Sequence, residues 1–186
     1  MLIQRFARYI ANKLAPYSPK TNVTVLSYGL DLVIYSLLST IGLIAEGLVF
    51  RQLYTSLIII AVFYLNQTIG GGFHANSHMS CFLTMTTGLT FGLFICSLDC
   101  STLSMLVVGI FSCLSLYWHP VVLHPNKQYL ETQMHLYIRR SRYLTIFESI
   151  IGIMMILFLR EIFMPYTIGL LMAAFSRLAG KYKRTS

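Results

Sequence analysis

The sequence predicts an all-α, polytopic membrane protein: six transmembrane helices, an N-terminal amphipathic interfacial helix, and both termini in the cytoplasm. Three observations predict it. Apolar residues make up 56% of the 186 and charged residues only 11%, under half the ~25% of an ordinary soluble domain. The apolar residues gather into six stretches, about 26–50, 53–69, 82–98, 103–123, 143–160 and 162–179, most of them near the ~20 residues that a spanning helix requires. Lysine and arginine are confined almost entirely to segments that a six-span scheme puts on one side. Disorder is excluded by the same composition, and the length leaves no room for a separate soluble domain. Residues 1–186 therefore read as one integral membrane domain: an interfacial helix over 1–20, a bundle over 26–179 and a basic tail over 180–186. Met1 to Tyr17 has no continuous apolar core and no small-residue cleavage site, so it does not read as a signal peptide.

In residues 1–17, Leu2, Ile3, Phe6, Tyr9, Ile10, Leu14 and Tyr17 share one face of a helical wheel, and Gln4, Arg5, Arg8 and Asn12 take the other. Lys13 falls inside the apolar arc, where its stem can lie along the surface with the ammonium in water. This pattern suits a helix lying among headgroups. Pro16 and Pro19 then break the chain. The second and third stretches are short and flank Gly70-Gly71-Gly72. Non-helical backbone at membrane depth persists only where it lines a cavity or meets water.

Charge gives an independent test. Arg5, Arg8, Lys13 and Lys20 precede the first span; Lys127, Arg139, Arg140 and Arg142 lie between the fourth and fifth; Arg177, Lys181, Lys183 and Arg184 follow the sixth. Six spans put these three groups on one side, against Arg51 and Arg160 opposite, and the basic side is the cytoplasm. The net charge of +8 is thus a topology signal rather than a nucleic-acid footprint.

The chemistry points to one loop, Gly70-Gly71-Gly72-Phe73-His74-Ala75-Asn76-Ser77-His78-Met79-Ser80-Cys81. Consecutive glycines are costly in backbone entropy and are kept for tight turns or close backbone approach; Gly71 and Gly72 are expected to bind substrate in this way. An imidazole can take a thiol proton and return it to a leaving amine, so a His/Cys pair performs acyl transfer. In one continuous helix His74 and Cys81 would stand about 10 Å apart along the axis. To meet, His74 must sit in an irregular segment that folds back, with Ser77 or Ser80 as N-cap and Cys81 in the first turns of the third span. A helix N-terminus favours negative charge.

Other readings are open at this point. His74, His78 and Cys81 form a possible metal set, but Ala75 stands where the zinc-protease helix needs its glutamate, so no metal or cofactor is expected. His119, His124 and His135 read as interfacial or loop residues, and Cys96, Cys100 and Cys113 as small apolar fillers. Carboxylates in lipid usually face a polar interior. Asp31 and Glu148, near the cytoplasmic ends of the first and fifth spans, either pair with Arg139, Arg140 or Arg142 or orient His74; Glu46, Asp99 and Glu161 lie toward the outer side. A small transporter or channel built on Asp31, Glu46 and Glu148 is the rival class, and a noncatalytic assembly subunit a third.

Gly71-Gly72-Phe73-His74-Ala75, followed by six residues and Cys81, resembles the accessory gene regulator protein B (AgrB) family, the peptide-processing membrane cysteine endopeptidases of bacterial quorum sensing. Trp118-His119-Pro120, then His124-Pro125-Asn126-Lys127 and the basic run to Arg142, is similar to that family's Pro-containing span end and Lys-rich cytoplasmic loop. One departure is that Asn66, Gln67 and Thr68 occupy the stretch where the family often carries arginine, so Lys127, Arg139 or Arg140 must meet an acidic substrate. The resemblance implies Cys81 as nucleophile and His74 as base; Asp31, Glu148 and Ser77 are the candidates for support that the residues themselves offer. The implied substrate is a signal propeptide with an acidic C-terminal tail, processed at the cytoplasmic face of a bacterial cell membrane to a thiolactone or lactone. It also implies a homodimer.

Overall fold

A computed structural model describes residues 2–17, 22–73, 77–98, 100–122 and 131–185. Among them all regular structure is helical: α1 (Leu2–Leu14) with a 3-10 turn over Ala15–Tyr17, α2 (Val23–Val49), α3 (Leu53–Gly70), α4 (His78–Cys96), α5 (Thr102–Trp118), α6 (Glu131–Phe158) and α7 (Arg160–Thr185). Five of these, α2, α3, α4, α6 and α7, are long and apolar enough to cross a membrane. α5, at 17 residues, is about 26 Å long. The chain divides into two compact units, residues 1–45 and 46–186.

In the first unit the small side chains of α1, Ala7 and Ala11, are fully buried, while Phe6, Tyr9 and Leu14 are exposed. The Lys13 ammonium lies 4.9 Å from the centre of the Tyr9 ring, so its stem runs along the apolar face. Large apolar side chains of α2, among them Leu37 and Ile41, are exposed as well, as a lipid-facing surface requires.

The second unit is organised around α7, which packs on α3, α4, α5 and α6. More than half of its apolar window is buried, against 17% for α4 and α6. The reason is visible along one stripe: Leu170, Ala173, Ala174 and Arg177 recur at helical spacing and all are buried. Phe63, Leu116, Tyr166 and Leu170 fill the core around the alanines. With lipid outside, apolar burial supplies little drive and close packing of small residues takes over. Gly169 is such a contact, since a Cβ there would stand 3.1 Å from the Ile59 carbonyl oxygen of α3.

The predicted stretches all appear as helices, with shifts at their ends. α5 stops at Trp118 instead of running to 123, because the main chain leaves the helix at His119 (φ −116°, ψ 65°) before Pro120. α6 begins at Glu131, so Arg139, Arg140 and Arg142 lie on a helix rather than in a loop, and α7 carries the expected tail as helix to Thr185. Arg177 needs the largest correction. Counted above among cytoplasmic tail charges, it is 1% exposed and belongs to the core.

Candidate active site

The end of α3, the glycine turn, the start of α4 and the end of α7 converge. Gly71 leaves α3 with φ +68° and ψ −168° while its N–H still bonds the Gln67 carbonyl at 2.9 Å. That backbone region is essentially reserved for glycine. A Cβ on Gly71 would also lie 2.7 Å from the Val122 carbonyl oxygen. Gly70 lies against the Arg177 guanidinium and Gly72 against the side chains of Gln67 and Ser176. The turn is tied at both ends: Val122 N–H donates to the Gly70 carbonyl at 2.8 Å, and Phe73 N–H donates to Ser176 Oγ at 3.0 Å. Gln67 Nε2 donates to the same hydroxyl at 2.7 Å.

α4 starts as the sequence allowed. Ser77 is its N-cap, in extended geometry, and its Oγ accepts the Ser80 N–H at 3.1 Å. Cys81 N–H makes one of the first helical bonds, to the Ser77 carbonyl at 3.0 Å. Cys81 is thus held in the first turn, a half-buried free thiol. Its side chain lines a cavity of about 440 Å³ between α3, α4 and α7, walled by Phe63, Met85, Met172 and Phe175 and bordered by Gln67, Phe73 and Ser176. The thiol of the predicted nucleophile therefore opens on an apolar recess beside the glycine turn. His74 itself falls among residues 74–76, outside the described residues, as does Lys127 within 123–130.

On another face of α7 lies a polar cluster. Arg177 Nη2 donates to the Asn66 carbonyl and to Asn66 Oδ1, each at 3.1 Å, and Nη1 donates to Ser141 Oγ at 2.9 Å. Asn66 Nδ2 passes the link to Glu148 Oε1 at 2.7 Å, and the Tyr166 hydroxyl donates to the Glu148 carbonyl at 2.6 Å. Glu148 is 2% exposed. It is thus joined through Asn66 to Arg177, whereas Arg139 and Arg140 are exposed on α6 and Arg142 lies 5.3 Å over the Tyr117 ring. Glu46 accepts the Thr90 hydroxyl at 2.6 Å. Asp31 belongs to the first unit, where it lines a polar cleft with Arg5, Arg8, Asn12 and Ser27.

Sequence reasoning missed Asn66, Ser141, Ser176 and Arg177. A signal was present for two of them. Asn66 repeats the spacing of buried Ile59 and Phe63, and Arg177 that of Leu170, Ala173 and Ala174; a polar residue in phase with an apolar stripe is a buried one. Lys181 was counted only as tail charge. Its ammonium is 3.3 Å from His119 Nδ1, one residue past Gly180, where a Cβ would meet the main chain of Gly72 at 3.0 Å.

The family model for accessory gene regulator B matches residues 3–177. The chain belongs to the AgrB family. No curated protein and no solved structure matches it. Membership in the AgrB family puts this membrane protein among those that process peptides in quorum sensing. Residues 71–81, which carry the Gly-Gly-x-His-Ala and Cys81 pattern, and the arginine cluster both lie inside the matched segment.

Proposed function

We propose that this AgrB-family chain is a membrane cysteine endopeptidase that removes the C-terminal tail of a signal propeptide and assists its cyclisation. One observation carries the reading: Cys81, in the first turn of a capped helix, lines an apolar cavity beside the turn that leads into His74. The Cys81 sulfur attacks the carbonyl carbon before the tail, and His74 takes the thiol proton. As the tetrahedral intermediate collapses, the carbon–nitrogen bond breaks and His74 returns the proton to the departing amine, leaving a thioester on Cys81. A cysteine or serine of the same peptide then attacks that thioester, closing a thiolactone or lactone and freeing the Cys81 thiol. Thioester exchange is close to isoenergetic, so productive ring closure depends on keeping water from the acyl group. A recess walled by Phe63, Met172 and Phe175 serves that purpose.

The distribution of the basic segments supports a cytoplasmic face for this site. An acidic tail would be drawn by Lys127, Arg139 and Arg140, and by Lys181 beside the glycine turn. The test is co-expression with a propeptide, following tail release. Cys81→Ser and His74→Ala should each lower the rate by ~10³-fold or more, and Cys96→Ser should leave it intact. Cleavage that persists in Cys81→Ser removes the proposal.

A further inference from the structure

We infer that the recess beside Cys81 is a specificity pocket for a bulky apolar side chain on the residue whose carbonyl Cys81 attacks. The inference rests on Cys81 acting as the nucleophile. In an acyl-enzyme the carbonyl carbon is one bond from the sulfur and the Cα two, so that residue's side chain begins at the wall Cys81 occupies.

The recess leads away from there. α4 and α7 run antiparallel along it, with Gly92 facing Ile168 and Gly88 facing Met172. It extends from Cys81 to Ile95, about 21 Å along α4. Glycine at both positions lets α7 side chains lie close against α4, since a Cβ on Gly88 would meet the Met172 methyl at 3.0 Å and one on Gly92 would meet Ile168 at 2.8 Å. Its volume, about 440 Å³, lies within the ~300–1,000 Å³ of small-molecule sites.

Chemistry selects the occupant. Three of the polar groups on the wall are engaged: Ser176 Oγ accepts from Gln67 Nε2 and from the Phe73 N–H, and the Thr84 hydroxyl donates to the Ser80 carbonyl of its own helix. Beyond them the wall is Phe63, Met85, Ile168 and Met172, with no charge and no side-chain hydrogen-bonding group. A carboxylate or amide entering there would lose its water and gain no partner. A methyl-sized side chain would leave the space unfilled. Leucine-, methionine- or phenylalanine-sized groups need no partner and fill the end of the recess next to Cys81, and the methionines in the wall adapt to different shapes.

The experiment uses the full chain in phospholipid vesicles and four probes differing in one side chain: N-acetyl-leucyl, phenylalanyl, alanyl and aspartyl chloromethyl ketones. Each alkylates a thiol with loss of chloride, and peptide mass mapping separates Cys81 from Cys96, Cys100 and Cys113. The leucyl and phenylalanyl probes should modify Cys81 at least about tenfold faster than the alanyl one, with the aspartyl probe slowest. Gly88→Val, which narrows the seam, should shrink the leucyl-to-alanyl ratio. If that variant does not fold, the four rates on the unaltered chain still decide.

Equal rates with all four probes, or a fastest aspartyl probe, would overturn the pocket and leave Cys81 as nucleophile. Faster modification by 2-bromohexadecanoate than by the leucyl probe would assign the recess to a lipid chain and also overturn it. No modification of Cys81 by any probe would remove the nucleophile itself, and the pocket with it.

Discussion

Two neighbours on α7 face two different interiors. Ser176 borders the recess that holds Cys81, and Arg177 enters the cluster of Asn66, Ser141 and Glu148. The cluster side is occupied mainly by protein: a guanidinium against Gly70 is bonded to Asn66 of α3 and Ser141 of α6, with a smaller cavity of about 250 Å³ beside Glu148. The recess side is open and largely apolar, with Gln67 Nε2 bonded to Ser176 at its border. Ionisable groups within a bilayer protein face its interior and pair there; here Glu148 Oε1 and both Arg177 Nη atoms are bonded, while Glu148 Oε2 and Arg177 Nε are not. The difference teaches that the ionisable residues of this cluster belong to the scaffold, while the proposed reactive site is marked by a sulfur and by glycines.

Substitutions can break that contrast. The largest stability effect should come from Arg177→Ala, which strips Asn66 and Ser141 of their shared donor and leaves Glu148 without the nearby positive charge; breaking a buried ionic network costs about 3–5 kcal/mol. Thermal unfolding in detergent should register it, and an unchanged midpoint would mean the cluster holds nothing. Gly71→Ala should come next, at about 1–3 kcal/mol of backbone strain, with the Val122 contact adding to it. Because that turn carries the chain into His74, activity per folded molecule should fall as well, a loss not expected from remote destabilisation. Ser77→Ala should be smallest, about 1 kcal/mol for a lost N-cap, and Ser77→Asp should restore most of it. A Ser77→Ala change that leaves the unfolding midpoint in place would show that α4 needs no cap.

The helices were legible because six apolar stretches of about the right length can do little else in lipid. Their ends were less so: Arg139, Arg140 and Arg142 suit a basic loop and the first turns of α6 equally well, and charge alone does not separate the two. Around Cys81 the local part was readable, since a serine four residues earlier is an N-cap wherever a helix begins. What the glycines approach was not. Val122, Ser176 and Arg177 come from about 50 to more than 100 residues downstream, and no spacing rule reaches that far. Arg177 was misread for a related reason: at the end of an apolar run an arginine looks like a topogenic charge, and only its phase with Leu170 and Ala174 says otherwise.

The central position of α7 also sets an order of events during synthesis. The bond from Arg177 to Asn66 joins residues 111 apart, which at about 5–20 residues per second is a wait of roughly 6 to 22 s. Throughout that interval α3 stands in the bilayer with an asparagine whose eventual partner has not yet been made. Insertion machinery or neighbouring lipid headgroups must shelter that amide until translation delivers the guanidinium. A ribosome stalled between residues 158 and 177 would therefore leave a half-built bundle that quality-control proteases can recognise.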